Sequence, residues 1–261
     1  MEVKLKRAIE KIEAGDPATI SSGLAEMETL LPGLDGSGYD QAIAAVAGLF
    51  YTDPYDLPDF KPAIDKASEL LAAQGRKALK LMIRMLSDAD LKFVFNVSRT
   101  LGRMGTEAID RLIHAYEDTY DTSTRAFIIY AIGKIRHPVI AEASALLVGA
   151  ALDPGRDIRD SAVRAIGKIA EFAPATGVDS RERKQMVEVL KKAMGDEVPA
   201  IRAKAVRSMA KMASHGYLTA EQRDDLAQHA HRMLGHDEAF NWDLAYIVRK
   251  EAEFALKELE K

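Results

Sequence analysis

The sequence predicts an all-α chain assembled from stacked antiparallel helical pairs, and three observations carry that prediction. Ala, Leu, Ile, Met, Glu, Lys and Arg dominate its 261 residues, and alternating β-branched runs are absent. Turn signals recur at Asp16-Pro17, Pro32-Gly33, Asp53-Pro54, Gly75, Gly105, His137-Pro138, Asp153-Pro154-Gly155 and Gly216. The segments between them run to about 12–18 residues, the length of packed helices joined by short turns. Finally, several of the segments repeat one another.

Helix starts carry local chemistry. Asp16 followed by Pro17 is an N-cap with proline in the first turn. Asp179 with Glu182, and Thr219 with Gln222, have the spacing of a capping box. About fourteen helices are expected, and no strand.

Towards the N-terminus, the stretch YDQAIAAVAGLFY (39–51) places Gly48 in a helix as a candidate close-approach position. The following segment, FYTDPYDLPDFKP (50–62), mixes four aromatics and three aspartates with three prolines. It is expected to be an inter-helix loop whose rings cover the end of the N-terminal core, a protruding contact loop being the alternative.

From residue 75 onwards the periodicity is plain. Helices GRKALKLMIRML (75–86) and GTEAIDRLIHAY (105–116) share a Gly, an Ala three residues later, and apolar positions at +4, +7, +8 and +11. The helices that follow align on an arginine: 125-RAFIIYAIGKI, 159-RDSAVRAIGKI, 202-RAKAVRSMAKM and 249-RKEAEFALKEL, with 94-VFNVSRTLGRM carrying Val94 instead. Small residues Gly102, Gly133, Gly167 and Ala210 stand at +8, where a neighbouring helix must come close. Asp88, Asp153, Asp196 and Asp243 stand six residues before the reference position, and Thr119 breaks that series. The reference positions are spaced by 31, 34, 43 and 47 residues, lengthening towards the C-terminus. A helical pair cannot bury its apolar face alone, so such units stack into a solenoid.

These residues resemble the HEAT-repeat family, in particular the short bacterial and archaeal HEAT-like, phycobilin-lyase-like repeats. The DxxxxxR spacing of Asp153/Arg159 and Asp196/Arg202 and the AIGKI ending carry the resemblance. It implies a right-handed α-α superhelix, with residues 76–261 forming five repeats and residues 1–75 a divergent helical cap in which Asp40 replaces the arginine. It further implies a structural ladder in which Asp153 and Asp196 bond to Arg125, Arg159, Arg202 and Arg249 and position repeats rather than ligands.

Composition narrows function. With 36 Lys+Arg against 40 Asp+Glu the net charge is −4, and the 48% hydrophobic and 29% charged fractions are those of a folded soluble protein. Having no Cys, the chain lacks disulfides, thiolate metal ligands and a Cys nucleophile. No apolar run approaches the roughly 20 residues of a membrane span, and MEVKLKRAIEKIEAGD is unlike a signal peptide, so a cytoplasmic protein without membrane contact is expected.

The most informative pattern lies opposite the apolar face of each second helix, at +5 and +9, one helical turn apart. Over four successive repeats these positions hold Arg99 and Arg103, Tyr130 and Lys134, Arg164 and Lys168, and Arg207 and Lys211, so seven of eight slots are basic, and the last unit has Phe254 and Glu258 there. In HEAT-like solenoids the second helix lines the concave surface, so the resemblance implies a concave basic stripe. Such a stripe concentrates anionic partners. The competing account is a solvated face with cations favoured near helix C-termini, which explains +9 better than +5.

Catalytic readings lack residues. None of the six histidines is followed by Glu, so the His-Glu motif of the HEAT-repeat iron enzyme deoxyhypusine hydroxylase is missing. His229 and His231 lie about 200° apart around a helix and cannot both face one ion. Trp242, the only tryptophan, is expected to pack on the turn before the last helix, so the tryptophan-lined groove of HEAT-like DNA glycosylases is not matched. No phosphate loop or nucleophile elbow is present. The expectation is a non-enzymatic scaffold, adaptor or assembly factor without a cofactor, whose partner is a protein with an acidic or phosphorylated surface. Nucleic-acid backbone binding, or a role as accessory subunit of an enzyme, are the alternatives.

Overall fold

The computed structural model describes residues 1–236 and 242–261. Among them lie fourteen α-helices and no β-strand, the one β-type pairing being an isolated bridge between Leu234 and Trp242. The chain divides into two compact units, Met1–Arg111 and Leu112–Lys261.

The first unit contains α1 (Glu2–Ile12), α2 (Pro17–Leu30), α3 (Gly36–Gly48), α4 (Lys61–Ala73), α5 (Arg76–Arg84) and α6 (Leu91–Met104). α1 packs on α2 and α3 on α4, while α2, α4 and α6 lie side by side in one layer. Leu24, Met27, Ile43, Phe50, Leu71, Met82 and Leu101 are fully buried between the helices, each contributing about 1.5–3 kcal/mol of transfer free energy. Residue 75, the expected end of an N-terminal cap, falls inside this unit, between α4 and α5.

Two expectations for this region change. α3 is the first helix of its pair, and a Cβ at Gly48 would meet nothing within 4 Å, so Gly48 marks no close approach. Gly23 does: a Cβ there would come within 2.8 Å of the Lys11 side chain and 2.9 Å of the Ile12 backbone. The 50–62 segment is split in its roles. Phe50 is buried and Tyr51 stacks on Phe93 at 4.3 Å, whereas Tyr55 is 93% exposed.

The unit boundary falls within α7 (Ile109–Asp118). The second unit continues with α8 (Thr122–Ile132), α9 (Ser144–Ala150), α10 (Arg156–Phe172), α11 (Ser180–Ala193), α12 (Pro199–Ser214), α13 (Ala220–Met233) and α14 (Tyr246–Leu259). α8, α10, α12 and α14 pack successively into a second-helix layer, with α9, α11 and α13 packed against it. α10 shows why: Ile158, Ala162, Val163, Ala165, Ile166, Ile169 and Ala170 recur at helical spacing and are buried. The helix ends at Ala173, whose extended backbone (φ −109°, ψ 139°) is the conformation favoured before Pro174.

Small residues allow the layer to close. A Cβ at Gly167 would lie 2.5 Å from Ser208 Oγ and 3.1 Å from Ser208 Cα, and one at Gly133 would lie 3.3 Å from Ala165 Cβ. Caps follow the sequence in part. Asp16 accepts from Ala18 N and Thr19 N, and Thr219 and Gln222 bond reciprocally. Asp179 caps α11 but Glu182 does not reach back to it, because its carboxylate accepts from Ser144 Oγ at 2.7 Å instead.

Candidate binding surface

Each second helix of the second unit begins at a turn, and the turns are tied together by arginines. Arg159 donates through Nε and Nη2 to the Asp196 carboxylate at 2.8 and 3.2 Å, and through Nη1 to the carbonyls of Asp153 and Pro154. Arg202 repeats the arrangement one unit on, with Asp243 at 2.7 and 2.8 Å and the carbonyls of Asp196 and Glu197. Asp153, Asp196 and Asp243 each also accept the backbone N–H two residues ahead. So every such aspartate shapes its own turn, and the last two receive the preceding arginine.

The charges respond to this pairing. Burial pushes the Asp196 carboxyl up, but the bonds from Arg159 and Val198 N–H and the charges of Arg159 and Arg202 outweigh it and hold the group below its ordinary value. The Arg202 bond holds Asp243 low, against an opposing effect of burial.

The ladder is not uniform. Arg125 donates to the Thr119 carbonyl at 2.8 Å and lies over the rings of Tyr116 and Tyr120. Arg249 bonds through Nη1 to the carbonyls of Asp243 and Leu244. In the first unit Asp88 receives the hydroxyl of Tyr51 at 2.7 Å, a tyrosine in place of an arginine, and this bond pushes the Tyr51 hydroxyl up to about 12.

Of the basic positions in the second unit, Arg164 and Lys168 lie on α10, Arg207 and Lys211 on α12, and Lys134 in the turn after α8. Arg164 on α10 is exposed and has no ion pair among the described residues. Arg207 on α12 is half-exposed, pairs with Glu251 at 2.7 Å and lies over the Phe254 ring. Lys168 and Lys211 converge on one carboxylate, Glu171, at 2.8 Å each. Burial pushes the Lys211 ammonium down, opposed by its bond to Glu171. For Glu171 burial acts upwards, yet its two lysine bonds keep it below the ordinary carboxylate value. Lys134 lies over the Tyr130 ring at 4.4 Å. In the first unit Arg99 is exposed, and Arg103 stands 3.6 Å from Glu69.

Sequence reasoning missed the three acids. Glu171 had a local signal, since it stands three residues after Lys168 on the same helix face. Glu251 pairs across 44 positions and Glu69 across 34, and neither leaves a local trace. Trp242 also departs from expectation: its backbone bridges to Leu234, but its side chain is 59% exposed rather than packed on the turn. His231 and His236 approach at 3.4 Å between their Nδ1 atoms, while His229 faces Arg232 instead. Among the described residues no group of three or more His, Asp or Glu side chains converges as a metal site would require.

Solved structures share this architecture. One is the complex of CpcE and CpcF of phycocyanin lyase from Nostoc sp. (TM-score 0.56, 19% identity, covering 69% of this chain and 98% of that one). Another is an archaeal HEAT-like repeats protein from Thermococcus onnurineus (TM-score 0.57, 13% identity, covering 100% and 97%). The chain has the HEAT-like repeat fold. Kap121p bound to Nup53p matches with a TM-score of 0.63 at 11% identity, covering 99% of this chain and 29% of that one. At these identities the likeness shows the fold alone. No family model matches the sequence, and no curated protein does.

Proposed function

We propose that this protein is a non-enzymatic scaffold or assembly factor that binds another protein through the exposed face of its second-helix layer, with Arg164 and Arg207 as the principal contacts. The observation that carries the reading is the set of cations on α10 and α12, where Lys168 and Lys211 share Glu171, Arg207 pairs with Glu251, and Arg164 has no ion pair among the described residues. The patch keeps a surplus of positive charge on a chain whose net charge is −4. A surplus on a rigid helical layer favours an acidic or phosphorylated protein surface. Arg99 and Arg103 on α6, and Lys134 in the turn after α8, repeat the sequence pattern. Arg159 with Asp196 and Arg202 with Asp243 hold neighbouring repeats in register, while Asp153, Arg125 and Arg249 brace their own turns.

Lys168 and Lys211 are poor choices for charge reversal, because Glu there would face Glu171. The test is therefore affinity purification from a native lysate with wild type and with Arg164→Glu/Arg207→Gln. A partner protein lost only in the variant supports the reading. Equal recovery by both removes the patch as the site, and recovery of chiefly nuclease-sensitive material favours nucleic-acid binding in its place.

A further inference from the structure

A second surface lies at the turn entering α14. Leu244, Tyr246 and Ile247 are 89%, 71% and 50% exposed, and Trp242 beside them is 59% exposed. The two preceding repeats hold Pro154, Arg156 and Asp157, and Glu197, Pro199 and Ala200, at the same three offsets from the turn aspartate. These positions are exposed in all three repeats, so packing within the unit does not call for large apolar side chains there. An apolar cluster of this kind, placed where the fold requires none, marks a contact surface. Trp, Tyr and Arg are also the side chains that dominate binding energy at interfaces.

Arg249 supplies the polar half. Its Nη1 is tied to the carbonyls of Asp243 and Leu244, as Nη1 of Arg159 and Arg202 is tied to the carbonyls of their own turns. In Arg159 and Arg202 the Nε/Nη2 edge then grips an aspartate carboxylate. In Arg249 that edge meets no carboxylate among the described residues, although the guanidinium is oriented in the same way and lies near the Tyr246 ring. The fork is built for a bidentate carboxylate. The flank of α14 narrows the occupant. Where α12 has buried Ala203, Val206, Ala210 and Ala213, α14 has exposed Lys250, Glu253, Lys257 and Glu260. A further helix in register would bury four charges, whereas a turn at the edge would bury none of them.

We propose that the Trp242–Arg249 edge docks an aspartate-bearing turn of another polypeptide, its carboxylate in the Arg249 fork and its apolar side chains on Leu244, Tyr246 and Ile247. Trp242, the only tryptophan, reports directly on the patch. The probe is a synthetic peptide of residues 193–201, which carries the Asp196 turn with Met194, Val198 and Ile201, titrated into the full chain. Expected is a saturable blue shift of Trp242 emission. Affinity falls about tenfold for the peptide with Asp196→Asn and about tenfold for the chain with Arg249→Gln. Leu244→Ser/Ile247→Ser, at exposed positions that leave the core intact, abolishes the shift. The proposal is overturned by the absence of a saturable change at millimolar peptide, or by equal binding of the Asp and Asn peptides. A blue shift that grows with the concentration of the protein alone would give the patch to a second copy of this chain and likewise overturn the assignment.

Discussion

The link between Arg159 and Asp196 is the part of the structure whose energetic weight can be worked most directly. Their side chains are only 13% and 10% exposed. The pair is bidentate, and Arg159 has two further bonds to carbonyls while Asp196 also holds Val198 N–H. Replacing Asp196 by Ala removes two charge-assisted bonds and the turn bond, and leaves the guanidinium with its two carbonyls and the exposed Glu197 carboxylate at 3.4 Å. Breaking a buried pair costs about 3–5 kcal/mol when the survivor has no partner. The two remaining carbonyl bonds bring the expected loss down to about 2–4 kcal/mol. The coupling between the two side chains, isolated by a double-mutant cycle with Arg159→Ala, should be about 1.5–3 kcal/mol. The half-exposed Lys191–Asp225 pair at 2.7 Å is the internal control, with an expected coupling of about 0.2–1 kcal/mol. Urea unfolding of wild type, both single variants and the double variant measures each quantity. A coupling for Arg159–Asp196 no larger than that of the control would refute the argument that burial and bidentate geometry make the ladder a register device.

Stability should fall with acid in two stages. His229 is held below its ordinary 6.5 by burial, reinforced by Arg232, so its contribution is present above that value and is lost as pH falls through the lowered folded value. Asp196 and Asp243 are held below 3.8, so theirs is present above 3.8 and lost as pH falls further. Urea midpoints against pH check both stages, with His229→Gln removing only the first. Gly167→Ala should destabilise by about 1–3 kcal/mol through overpacking against Ser208, whereas Gly149→Ala, with nothing within 4 Å of its Cβ, should stabilise by about 0.5–1 kcal/mol; thermal melts distinguish the signs. If the α10–α12 patch binds a protein through Arg164 and Arg207, the slope of log K against log salt should be about −1 to −2. A value near −5 would indicate phosphate-backbone contacts by most of the basic row.

Helix existence and the repeat frame were legible because they rest on local signals. The AIGKI ending of α10, its buried Ile166 and Ile169 and its Gly167 contact all derive from spacing within one helix. What was not legible depended on which helix packs where. Gly48 has the sequence surroundings of a close-approach glycine but sits in a first helix, while at Gly23, unremarkable in sequence, an added Cβ would lie 2.8 Å from Lys11 of α1. The Asp88 partner shows the same limit. The N-terminal stretch carries Asp40 in place of the arginine, and Tyr51, 37 residues from Asp88, donates to it instead. Capping boxes divide along this line too: Thr219 and Gln222 close locally, whereas Glu182 is drawn off by Ser144 of another repeat.

The three acids change how the basic row can work. A cation already bonded to a carboxylate must give up that bond before neutralising a phosphate, so Lys168 and Lys211 cannot both serve an incoming backbone while Glu171 lies between them. Glu171 is itself held in its charged form by those two lysines, which makes the arrangement stable rather than merely available. A long polyanion, which gains affinity from many cations at once, is therefore disfavoured on α10 and α12. A protein carboxylate or phosphate needs only one or two well-placed cations. Arg164 has no competing carboxylate among the described residues, and Arg207 keeps a half-exposed guanidinium beside Phe254 even while Glu251 holds its Nε. The pairing that weakens the row as a nucleic-acid surface thus leaves two arginines set on a rigid layer, an arrangement suited to a discrete acidic site on a folded partner.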